Sequence, residues 1–137
     1  MSRTPAKVSL QVIRGSTWED EFTYVDASGV AVNLTGYAAR MQVRTKAGQF
    51  GLTTTTTLLL ELTTANSMLV IDIPPGQSVP CRVKVRVGIS DVALLNSYNQ
   101  RLVRRFYALE VYDPAQSPQY VIPLAVGNVT VRGETTR

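Results

Sequence analysis

The sequence predicts an all-β protein: an antiparallel sandwich or small barrel of about eight or nine strands, with at most one short helix. Three observations carry this. Apolar and polar residues alternate with a period of two along nearly the whole chain, the pattern of half-buried antiparallel strands. Turn-forming residues recur about every ten positions. Only one short segment combines a helix start signal with helical apolar spacing.

Val8, Leu10 and Val12 mark the first strand. After the turn residues Gly15 and Ser16, Trp18 to Val25 continues with Phe22 and Tyr24 on one face, Asp26, Ala27, Ser28 and Gly29 read as the connecting turn, and this pair of strands is expected to form a hairpin. The stretch Asn33 to Arg44 is the most regular in the chain. Asn33 and Thr35 can bond local backbone and Gly36 admits positive φ, after which Tyr37, Ala39, Met41 and Val43 share one face while Arg40, Gln42 and Arg44 take the other. Lys46, Ala47 and Gly48 close that strand. The threonine run at 53–57 tolerates extended backbone but contains nothing to set a register, so a mobile loop leading into an apolar strand at Leu58 to Leu62 is expected. Leu69, Ile71 and Ile73 alternate with Val70 and Asp72 until Pro74 and Pro75 stop the strand and force a bend.

Arg82 to Val87 alternates basic with apolar, placing Val83, Val85 and Val87 inward and Arg82, Lys84 and Arg86 outward. Ser90 or Asp91 caps the one expected helix, which contains Val92, Leu94 and Leu95. Arg104 to Tyr112 is the longest late strand, residues 113–118 are its turn, and Tyr120 to Val126 and Asn128 to Arg132 supply two more strands. No internal repeat is visible.

At 137 residues and 45% hydrophobic content, the chain can form one domain that buries roughly two thirds of its unfolded surface. No apolar run approaches the ~18 residues of a membrane span, and Met1 to Lys7 lacks the apolar centre of a secretory signal. No membrane association and synthesis in a cytoplasm are therefore expected. The single cysteine, Cys81, cannot form an internal disulfide and reads as a small core residue at a strand edge. The chain has no histidine, which removes imidazole as a metal ligand or neutral-pH base, and no cofactor is expected. Glu19 and Glu21 share a strand face without partner acids, while Asp20 points to the opposite one, so neither pairing suggests acid–base catalysis or a divalent ion. Ser16, Ser90 and Ser97 have no activating histidine and no strand-to-helix elbow motif. The expected protein is not an enzyme.

Fourteen basic residues against ten acidic ones give a net charge of +4, without a dense basic block. Arg40, Gln42 and Arg44 on one strand, and Arg82, Lys84 and Arg86 on another, form two basic stripes whose alternate residues lie ~6.6 Å apart, a spacing that would track phosphates if the stripes merged. The simpler reading is a pair of solvated strand faces that also deter edge pairing. Trp18, Tyr37, Phe106 and Tyr107 could stack on bases, but with aromatics at only 7% of the chain, core packing is the more economical use.

A resemblance joins these readings. The segments LQVIRGSTW (10–18), NLTGYAARMQVR (33–44), YALEV (107–111) and GNVTVRGETTR (127–137) are similar to a family of small tailed-bacteriophage proteins, in particular to the N-terminal domain of upper-baseplate proteins. The likeness runs from about Leu10 to Arg137. It implies an immunoglobulin-like β-sandwich that anchors receptor-binding appendages to a virion, with other virion proteins of tail, baseplate or capsid as partners and a homo-oligomeric, symmetric array as the assembly. A capsid head-decoration or cement protein is the alternative within that class, and a nucleic-acid-binding module the less favoured one outside it. The expected organisation is a polar arm at 1–7, one sandwich at 8–132 and a polar tail at 133–137. Candidate contact residues are Arg3 and Lys7 of the arm, Arg137 of the tail, and the six side chains of the two stripes.

Overall fold

The computed structural model describes residues 6–25, 32–45, 58–73, 81–115 and 120–134, with the backbone alone at Tyr120. Nine strands and one helical segment follow in chain order. They are β1 (Ala6–Lys7), β2 (Leu10–Ile13), β3 (Trp18–Thr23), β4 (Ala38–Arg44), β5 (Leu58–Thr63), β6 (Leu69–Asp72) and β7 (Arg82–Val87), then α1 (Ile89–Val92) running into a 3-10 turn at Ala93–Asn96, and finally β8 (Leu102–Asp113) and β9 (Tyr120–Arg132). The turn expected at 26–29, the threonine run, the bend after Pro74 and the residues Lys46 to Gly48 lie outside the described residues.

The strands form two sheets. The larger one runs β1–β9–β8–β4–β5, with β2 also on β9, and the smaller one runs β3–β7–β6. This is the G–F–C–C′ over B–E–D arrangement of an immunoglobulin-like sandwich, with the first strand carried to the G side. Period-two patterning explains the layering: Ala39, Met41 and Val43 from β4, Leu60 and Leu62 from β5, and Leu109 and Val111 from β8 point inward and are buried. Val83, Val85 and Val87 from β7 meet them from the other sheet, as the alternation predicts. Phe22 and Tyr107 bridge the two layers with ring centroids 6.2 Å apart. Trp18 is also core, and its indole N–H donates to Asp20 at 2.8 Å. Cys81 is buried, as expected.

The opening punctuation of the most regular stretch is a local device. The Asn33 side chain accepts from the Thr35 backbone N–H at 2.9 Å and from its hydroxyl at 2.6 Å, Gly36 adopts φ +85°, and the Tyr37 N–H closes the turn on the Leu34 carbonyl. Leu34 is thereby fixed in the core just before β4 begins.

Three expectations are corrected. The hairpin placed at the first strand and Trp18–Val25 does not form: β2 pairs with β9 in the larger sheet and β3 with β7 in the smaller one. Gly15, at φ +93°, turns the chain from one layer to the other instead. The helix is capped by the Gly88 backbone, without a side-chain bond from Ser90 or Asp91, because both lie inside the turn that Gly88 starts. Leu94 is exposed, whereas Val92 and Leu95 are buried. The two last strands are one, since β9 runs unbroken from Tyr120 to Arg132. It tolerates Pro123 because a register shift opposite Leu109 and Glu110 relaxes the ladder there.

The chain's two flanks meet in a parallel pair, the exception in an otherwise antiparallel fold. Ala6 and Lys7 align with Ala125 and Val126, and Leu10 to Ile13 with Val129 to Arg132, in one continuous register. At the interruption between β1 and β2, the Val8 carbonyl accepts from the Tyr107 hydroxyl at 2.7 Å and packs so close to Gly127 that a Cβ there would overlap it. Ala6 and Lys7, grouped with the arm in sequence, thus belong to the sheet. Gly133 and Glu134, grouped with the tail, are likewise docked: the Gly133 N–H donates to Arg101, the Glu134 N–H to the Asn99 side chain, and the Glu134 carboxylate pairs with Arg14.

Candidate interaction surfaces

Because β4 lies in the larger sheet and β7 in the smaller, the two basic stripes project from opposite outer faces of the sandwich. They do not merge. Each meets a different set of neighbours, and cross-strand pairing decides what its charges do.

On the smaller sheet, β7 is central and both flanking strands present acids. Lys84 faces Glu21 and Arg86 faces Glu19 across the β3 pairing, while Arg82 faces Asp72 across β6. The Arg82 guanidinium reaches Asp72 at 2.6 Å and Glu21 at 3.3 Å, and Lys84 reaches Asp72 at 3.6 Å. The hydrogen bond from Arg82 holds the Asp72 carboxyl below its ordinary range, and the same contact raises Arg82. The basic stripe is therefore the centre of a ladder of opposite charges. Glu19, Asp20, Glu21, Lys84 and Arg86 line an open groove with Val70 and Val85, a surface of mixed sign.

On the larger sheet, residues 40, 42 and 44 also find partners, but partly beneath the surface. Arg40 pairs with Glu110, whose side chain is 8% exposed, and its guanidinium lies 5.1 Å from the Tyr112 ring. Gln42 donates to Glu61 at 3.0 Å and accepts from Arg44 at 3.0 Å. Arg44 departs from the solvated stripe that alternation predicts: only 6% of it is exposed, at a register shift opposite Leu58 that draws it into the sheet surface. Lys7 is exposed on β1, and Arg3 and Arg137 lie outside the described residues.

Further along the same outer face, β2, β9 and β8 bring together side chains that were not singled out in sequence. Ile13, Arg132 and Leu102 form one cross-strand row, and Gln11, Thr130 and Arg104 form the next. Ile13 and Leu102 are 54% and 56% exposed. Arg104 and Arg132 are exposed on diagonal positions, roughly 7–8 Å apart, and no described acid pairs with either. The signal was present as alternation at 102, 104 and 106 and at 130 and 132. It acquired meaning only through the β8–β9 register, which unites residues almost thirty positions apart.

Of the four aromatics weighed as stacking platforms, Trp18 and Tyr107 are core, while Tyr37 and Phe106 are half-buried. Burial pushes the Tyr107 phenol up, with the Asp20 charge adding to the effect. Among the described residues, no three His, Cys, Asp or Glu side chains cluster as a metal site would require. Comparison with models of known families and with curated protein sequences returns no match to this chain.

Proposed function

We propose that this domain is a non-enzymatic structural adaptor of a tailed-bacteriophage virion, placed at the baseplate or tail, where it anchors receptor-binding appendages through protein–protein contacts. The likeness of residues 10–18, 33–44, 107–111 and 127–137 to phage upper-baseplate domains supplies the context. The observation that carries the reading is the unequal treatment of the two outer faces. The smaller sheet ties Arg82 to Asp72 and Glu21 and Lys84 to Asp72, whereas the larger sheet leaves Ile13 and Leu102 exposed and Arg104 and Arg132 without an acidic partner among the described residues.

An adaptor needs surfaces that pack against neighbours rather than a cleft that converges on a substrate. Edge strands add a second resource. The β1/β2 and β5 edges of the larger sheet and the β3 and β6 edges of the smaller one present backbone groups to which an extended segment of another chain can add. In a homo-oligomeric array, symmetry repeats each contact, so individually weak contacts accumulate avidity. A phosphate-tracking role is less favoured, because the two stripes stand on opposite faces and Arg40, Arg82 and Lys84 among their cations are engaged by Glu110, Glu21 and Asp72.

The test is location in assembled particles. An epitope-tagged copy, imaged on purified virions, is expected at the baseplate or tail. Label on the head would move the protein to the decoration class, and its absence from purified particles would refute the virion role altogether.

A further inference from the structure

We infer that the Ile13–Arg132–Leu102 row, with Arg104 beside it, is a docking surface for a protein segment that combines aliphatic side chains with carboxylates. The inference rests on this surface alone and stands apart from the virion reading.

The elements position the row rigidly. Arg132 lies between its two aliphatic neighbours, so Ile13 and Leu102 are separated by two strand spacings, roughly 10 Å. The end of the sheet on which they sit is stitched by backbone and side-chain bonds. Arg14 N–H donates to the Arg132 carbonyl at 2.9 Å, Gly133 N–H to Arg101 at 3.1 Å, and Asn96 grips the backbone of Gln100 through both ends of its amide at 2.8 and 2.9 Å. Tyr98, 90% exposed, belongs to the loop this stitching holds. The surface is thus formed before any partner arrives, which lowers the ordering cost of binding.

Its chemistry selects the occupant. Elsewhere on the sandwich, Arg14, Arg40 and Arg82 each contact a carboxylate of the chain itself, but Arg104 and Arg132, like Arg86 on the other face, have none within the described residues. A carboxylate from outside would complete them as Glu134, Glu110 and Asp72 complete the others, and the guanidinium fork matches that group in geometry. Ile13 and Leu102 gain only if their partner is apolar, because each leaves about half its surface in water. Nucleic acid would satisfy the arginines and leave the aliphatics wet, so a protein segment fits both halves. A second copy of the same face would oppose arginine to arginine, which argues against self-pairing.

The experiment uses the full chain, isotopically labelled, titrated with a synthetic peptide of alternating leucine and glutamate. A matched leucine–lysine peptide and a single-stranded DNA serve as comparisons. Saturable amide shifts are expected at Ile13, Leu102, Arg104 and Arg132 with the acidic peptide, and the charge-reversed pair Arg104→Glu with Arg132→Glu should weaken that binding by about tenfold or more. Arg104→Gln with Arg132→Gln, which alters charge without reversing it, should give an intermediate loss and guards against a folding effect. The assignment is overturned by any of four results: no saturable shift, equal binding of the lysine peptide, stronger binding of the DNA, or concentration-dependent self-association of the wild type that the charge reversal abolishes.

Discussion

The outer faces of the two sheets begin from the same sequence device and end differently. In β7, basic residues alternate with buried valines, and the neighbouring strands supply Glu19, Glu21 and Asp72 to meet them. In β8 and β9, Arg104 alternates with half-buried Val103 and Arg105 and Arg132 with buried Val131 and Gly133, yet the cross-strand positions beside them hold Thr130, Gln11, Leu102 and Ile13. A stripe of arginines therefore has no fixed meaning by itself. The side chains one strand away decide whether it is a closed electrostatic ladder or an open invitation to a partner.

This contrast can be tested by degree, starting beneath the faces, where it should vanish. Leu109 under the larger sheet and Leu69 under the smaller are each 1% exposed. Leu109→Ala and Leu69→Ala should each cost about 2–5 kcal/mol in urea denaturation, because both leave a cavity in the one shared core. A loss confined to one of them would mean that the sheets do not unfold together. The next effect in size should come from Arg40→Ala, which strands the nearly buried Glu110 carboxylate and should cost about 1–3 kcal/mol. A negligible change would show that Glu110 regains water without disturbing the sheet.

Arg82→Ala should cost less, since Arg82, Asp72 and Glu21 are all partly exposed and screened. Its effect has a pH signature. Asp72 has a lowered folded-state pKa, so its contribution is present above the unfolded value of about 3.9 and is lost as pH falls through the folded value. The stability difference between wild type and Arg82→Ala should therefore shrink below about pH 4, and also in high salt. A difference that persisted in acid would assign the contribution of Arg82 to packing. Smallest of all, Arg104→Glu with Arg132→Glu should leave stability within about 0.5 kcal/mol of wild type, because no described contact is lost. A large loss would place these arginines in the fold rather than at a docking surface.

The parts of this architecture that were legible in sequence are those written in period two. Ala39, Met41 and Val43, and Val83, Val85 and Val87, point inward as their spacing demands, and the Asn33–Gly36 turn forms from the residue types that favour it. Neighbours were not legible. Alternation assigns a residue to a face but leaves its partner strand open, so Leu10–Ile13 could not be placed on Val129–Arg132 from sequence. The same gap hid the candidate surface, which exists only where β2, β9 and β8 run side by side. Gly127 misled for a related reason: it reads as a strand break, but its missing side chain is what admits the Val8 carbonyl alongside an unbroken β9.

The parallel pairing of β1 and β2 with β9 also determines how the domain bears load. Ala6 lies beside Ala125 and Ile13 beside Arg132, so the chain enters the sheet near the middle of β9 and leaves it at the far end of that strand. Tension applied through the flanking backbone pulls these two strands lengthwise past each other. Such shear stretches the rungs of the ladder together rather than peeling them one at a time, and the Tyr107 hydroxyl on Val8 adds a cross-tie midway along the seam. A domain strung this way resists being drawn out along its length, a useful trait for any part that must hold two neighbours together while one of them is pulled.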